Sequence, residues 1–128
     1  MKTASLALLV LSLSFSAVSL AGPCAPAVDD IIGLRDVRIE LCQINGPNHP
    51  DCLAQEAYEF DFVASVIQQC PANTPECQRA PHAYVAAWGR RHDTCHNAGS
   101  SNDPACVSAQ GIEDARFYPF AVCLLNGW

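Results

Sequence analysis

Apolar side chains recur along most of the chain at helical rather than alternating intervals. Val28, Ile31, Ile32 and Ile39 mark one segment, Phe60, Val63, Val66 and Ile67 a second, and Tyr84, Val85 and Trp88 a third. Steps of three and four residues put such positions on one face of an α-helix. Between these segments Asn45-Gly46-Pro47, residues 71–75 and residues 97–104 gather Gly, Pro, Asn and Ser, residues that stop helices and form turns. Three segments open on a shared phrase, Asn48-His49-Pro50-Asp51-Cys52, Asn73-Thr74-Pro75-Glu76-Cys77 and Asn102-Asp103-Pro104-Ala105-Cys106. Proline suits the first helical turn, where its missing N–H has no partner to lose, and Thr74 or Asp103 before it can cap the free backbone donors. The pattern predicts four helices of about five turns each.

The cysteines turn this into an architecture. Cys24-x17-Cys42-x9-Cys52-x17-Cys70 is followed by Cys77-x17-Cys95-x10-Cys106-x16-Cys123, so each set of four spans the same separation. Eighteen steps at about 100° return to the same helix face, and at 1.5 Å per residue they separate the two cysteines by about 27 Å. No bond can form within one helix, so every disulfide joins two. The expected fold is all-α, a four-helix, disulfide-braced bundle of two tandem αα-hairpins, residues 24–70 and 77–123. One pairing, Cys24–Cys70, Cys42–Cys52, Cys77–Cys123 and Cys95–Cys106, closes each hairpin at both ends. Its rival, Cys70–Cys77, Cys52–Cys95, Cys24–Cys123 and Cys42–Cys106, clamps the hairpins to each other, and spacing leaves both open. The last segment departs from the pattern, with a shorter spacer and Pro119 inside it. Either a kink re-aims Cys123, or the helix ends near Tyr118.

Composition then places the chain. Lys2 precedes an apolar run from Ala4 to Leu13 that thins toward Leu20, and small residues stand at Ser19 and Ala21. This is the pattern of a secretory signal peptide, residues 1–21, leaving residues 22–128 as one disulfide-rich domain. An even cysteine count in an exported chain reads as a disulfide framework. Lys2 is the only lysine and leaves with the signal, so six arginines face thirteen acids. An acidic balance of this kind disfavours nucleic acid and anionic membranes as partners.

Candidate chemistry is sparse. Arg90-Arg91-His92-Asp93-Thr94-Cys95-His96 is the densest cluster, and its His-Asp-x-Cys resembles part of the active helix of secreted phospholipases A2. That resemblance implies His92 as the base for a water and Asp93 as a calcium ligand. The chain lacks the adjacent cysteine pair and the glycine-rich calcium loop of that family. His92 and His96 stand one turn apart and are expected to be a solvated pair with no metal; as the candidate ligands they would need His82 or Asp93 as a further donor. Asp29, Asp30, Asp36, Glu56, Glu59 and Asp61 read as the solvated faces of amphipathic helices. Tyr58, Phe60, Phe62, Tyr84, Trp88, Phe117, Tyr118 and Phe120 read as core. Leu124, Leu125 and Trp128 form an apolar tail that either folds over the seam between the hairpins or stands exposed as a binding patch.

The expected function is that of a secreted, non-enzymatic recognition protein of signal, toxin or effector type, binding an extracellular receptor or channel, with no cofactor. The alternatives are a carrier of a small apolar ligand, a calcium-dependent phospholipase A2-like hydrolase and an extracellular matrix component.

Overall fold

The computed structural model describes residues 24–126; the expected signal peptide and Trp128 lie outside them. Four helices make up the fold, α1 (Ala25–Asn45), α2 (Pro50–Gln69), α3 (Pro75–Ala98) and α4 (Pro104–Leu125). α1 packs against α2 and α3 against α4, and the two hairpins meet chiefly where α1 crosses α4.

The helix ends follow from local chemistry. Proline occupies the first turn of all four helices. Thr74 Oγ1 accepts the Cys77 N–H at 3.2 Å and Asp103 Oδ1 the Ala105 N–H at 2.9 Å, the side-chain caps that helix N-termini favour. At α2 the capping group is the His49 ring, whose Nδ1 accepts the Asp51 N–H at 3.1 Å. α3 ends at Gly99, left-handed with φ 71°, whose N–H reaches the Cys95 carbonyl at 3.0 Å, a conformation glycine adopts without a Cβ penalty. α4 does not end near Tyr118: it continues through Pro119 to Leu125. Pro119 is exposed, so the backbone bond it removes is lost on the solvent side, where water can satisfy the freed carbonyl.

The disulfides are Cys24–Cys70, Cys42–Cys52, Cys77–Cys123 and Cys95–Cys106, with Cα separations of 6.0, 4.8, 5.6 and 4.6 Å. Each hairpin is therefore closed at both ends. The loop between α3 and α4 is tied to the first hairpin by buried Ser101, whose Oγ donates to the Cys42 carbonyl at 2.8 Å.

The interior has two unlike halves. Toward Cys24–Cys70 and Cys77–Cys123 it is apolar, built on Ile31, Val63, Tyr84, Phe117, Phe120 and Leu124, with the Tyr84 and Phe120 rings stacked at 5.4 Å. Toward Cys42–Cys52 and Cys95–Cys106 it is charged. Two expectations need correction here. Tyr58, Phe60 and Tyr118 are not core, being 63 %, 39 % and 73 % exposed, and Glu56 and Glu59 do not lie on a solvated face, being 2 % and 0 % exposed. Asp29, Asp30, Asp36 and Asp61 are exposed. Leu124 is fully buried as part of α4, while Leu125 faces solvent.

Candidate functional site

The charged half is a lattice of arginine and glutamate side chains drawn from all four helices. Arg38 of α1 grips Glu59 of α2 through Nε and Nη2, at 2.8 and 3.0 Å. Its Nη2 also donates to Glu113 Oε2 of α4 at 3.0 Å, and Arg35 donates to the same oxygen at 2.9 Å and to Asp114 at the surface. Arg91 of α3 donates through Nε to Glu113 Oε1 at 2.9 Å and through Nη1 to Glu56 Oε2 of α2. Trp88 adds its indole N–H to Glu59 Oε1 at 3.2 Å. Three buried cations thus meet three buried carboxylates, the condition under which charge is tolerated inside a protein.

The lattice follows the internal repeat. Arg38 and Arg91 each precede the second cysteine of their helix by four positions, and Glu59 and Glu113 each follow the first cysteine of theirs by seven. Offsets of four and seven lie on the same helical stripe as the cysteine itself, so bonding the cysteines inward buries these charges too. The rule also pairs Arg35 with Trp88, each seven positions before its cysteine. Arg35 donates across the interface to Glu113, and Trp88 donates across it to Glu59.

Electrostatics agree with the geometry. Burial would raise the carboxyl of Glu113, but Arg38, Arg91 and Arg35 outweigh it and hold the group below the usual carboxylate range. Glu56 is likewise held down, against burial, by hydrogen bonds from His92 and Arg91. Burial would lower Arg38, yet the bonds to Glu59 and the charge of Glu113 raise it. Three arginines face three buried glutamates, so formal charge within the lattice is close to balanced.

One corner breaks the repeat. His92 Nδ1 lies 2.9 Å from Glu56 Oε2, and His96 Nε2 lies 2.8 Å from Glu56 Oε1. The His96 ring is held from behind by Asn48, whose Oδ1 is 2.6 Å from His96 Nδ1 and whose Nδ2 donates to the His96 carbonyl at 3.2 Å. The positions related to Glu56, His92 and His96 by the cysteine count are Gln110, Ile39 and Gln43, so this constellation exists once. It uses both histidines singled out from the sequence, but its third member is Glu56. Asp93 and His82 are exposed and form no part of it. Donor atoms of Glu56, His92 and His96 lie within 4.8 Å of one another, a set able to hold a transition-metal ion.

Beside this corner runs a shallow groove of about 300 Å³ between α2 and α3, lined by Leu53, Ala57, Phe60 and Trp88, with Glu56, Asp61 and His92 along its polar edge. It exists because α2 and α3 meet mainly through long side chains. Trp88 and Phe60 rings lie 5.1 Å apart across the gap, and the Trp88 ring stacks on His92 at 5.5 Å. Leu53 and Phe60 are 42 % and 39 % exposed. No family model, characterised protein or solved structure matches the chain.

Proposed function

We propose that the protein is an extracellular, non-enzymatic recognition module that engages a protein partner, a receptor or channel, through the α2–α3 groove. Four disulfides, with no membrane-spanning helix among the described residues, fit an extracellular protein. The observation that carries the reading is the pairing of half-exposed Leu53 and Phe60 with a Trp88 floor, on helices fixed by those bonds. A preorganised aromatic pocket with a charged rim is the arrangement in which one inserted apolar side chain dominates binding energy. Exposed Asp61 at the edge favours an anchor flanked by positive charge, and the acidic balance of the chain points the same way. A carrier for an apolar molecule has less support, because the space between the hairpins is filled by the arginine–glutamate lattice and the packed aromatic rings. The test is competition. Unlabelled protein should displace fluorescent protein from saturable sites on responsive cells, and a Leu53→Ser/Phe60→Ser variant with unchanged helicity should fail to do so. Equal displacement by that variant refutes the groove as the contact surface.

A further inference from the structure

Ring nitrogens of His92 and His96 converge on the buried carboxylate of Glu56, with donor atoms of the three side chains within 4.8 Å of one another. The Asn48 amide is oriented by its own Nδ2–H bond to the His96 carbonyl, so Oδ1 is the atom facing His96 Nδ1, and that short contact takes a ring N–H. A neutral imidazole has one N–H. His96 Nε2 then faces Glu56 Oε1 at 2.8 Å, a contact that either a second ring proton or a metal ion bridges. His92 aims Nδ1 at the same carboxylate from one turn earlier in α3. A ring whose far nitrogen donates to an oxygen while the near one faces a carboxylate and a second histidine is the arrangement of a metal-bound histidine, with Asn48 in the supporting position.

We propose that Glu56, His92 and His96 bind one divalent transition-metal ion of the zinc or copper class. Glu56 Oε1, His92 Nδ1 and His96 Nε2 supply three ligands. Glu56 Oε2 stays on Arg91 Nη1, which fixes the carboxylate plane from inside the lattice. Zinc–nitrogen bonds of about 2.0–2.1 Å place tetrahedral ligands about 3.3 Å apart. The 2.8 Å contact between His96 Nε2 and Glu56 Oε1 therefore opens by about half an ångström on metal entry, and His92 Nδ1 turns from Oε2 toward the ion. The movement is available at the surface: the side chains of His92 and His96 are 35 % and 15 % exposed, whereas that of Glu56 is 2 % exposed. Three protein ligands leave a fourth position beside the groove, open to water or to a donor group from a partner. The metal site shares Glu56 and His92 with the groove's edge, but its test reads His96 and Asn48, which lie outside the groove lining, rather than Leu53 and Phe60.

Calorimetric titration of zinc sulfate into untagged, oxidised protein is the test. One ion per chain is expected. His92→Gln and His96→Gln should each weaken uptake more than about tenfold and Asn48→Ala by about 10–100-fold, while His82→Gln, with an exposed ring on the same helix, leaves it unchanged. Because Glu56 also neutralises Arg91, the two histidine variants, checked for native helicity, carry the test rather than a change at Glu56. Absence of saturable uptake, or uptake that survives in the His92→Gln/His96→Gln double variant, overturns the proposal.

Discussion

Arg38 and Glu59 join α1 to α2 by two parallel hydrogen bonds of 2.8 and 3.0 Å, both side chains being almost wholly buried. The arginine's remaining contact crosses to Glu113 in the other hairpin. The same pair that closes one hairpin therefore registers it against its neighbour, a geometric role that a non-directional apolar contact fills less well.

Removing one member strands the other. Glu59→Gln leaves Arg38 and the Trp88 N–H short of an anion, and a loss of about 3–5 kcal/mol is expected from breaking a buried pair on one side only. Replacing Arg38 and Glu59 together by Met and Leu should cost less than the sum of the two single changes. Urea unfolding of the four proteins in a double-mutant cycle measures the difference.

The direction of the Glu113 shift sets an acid limit. Burial opposes ionisation, but Arg38, Arg91 and Arg35 depress the folded-state value below that of the unfolded chain. A depressed carboxylate contributes stability that is fully present above its unfolded value, near 4.5, and is lost as pH falls through the lower, folded value. Melting temperature should hold steady above about pH 5 and fall below it. Glu113→Gln should lower the plateau and flatten the acid slope.

The disulfides should contribute unequally. Cys24–Cys70 closes a separation of 46 residues and Cys42–Cys52 one of 10, for which loop-entropy reasoning gives about 4 and about 2.7 kcal/mol. Replacing the first pair by alanine should lower unfolding free energy by about 1 kcal/mol more than replacing the second.

Two glycines predict opposite signs. At Gly99 the positive φ of 71° strains any side chain, so Gly99→Ala should destabilise by about 1 kcal/mol. Gly111 is helical, and an added Cβ meets nothing within 4 Å, so Gly111→Ala should stabilise by about 0.5–1 kcal/mol. Thermal melts of the two variants distinguish them.

Much of the architecture was legible because helix starts are written in short phrases and the cysteine count locates one stripe per helix. The apolar pattern around Val63, Val66 and Tyr84 marked buried positions for the same reason. The charged interior was not legible, because Arg38, Glu56, Glu59, Arg91 and Glu113 read by residue type as solvated surface. The available signal was position: Arg38 and Arg91 at four before a cysteine, Glu59 and Glu113 at seven after one, share the stripe that the disulfides pull inward. The pairing of Glu56 with His92 and His96 depends on how α2 and α3 are set side by side, which no local spacing encodes. Exposure of Tyr58 and Tyr118 likewise reflects helix rotation, since their residue type suits core and surface equally.

The most direct check on the Glu56–His92–His96 constellation is the nitrogen-15 spectrum of the four histidine rings as zinc is added to the oxidised protein. The account expects a bound proton on His96 Nδ1, with His96 Nε2 and His92 Nδ1 shifting together at one equivalent of metal while His49 and His82 stay in place. Shifts confined to His49 or His82, or no shift at either ring of the pair, would contradict it.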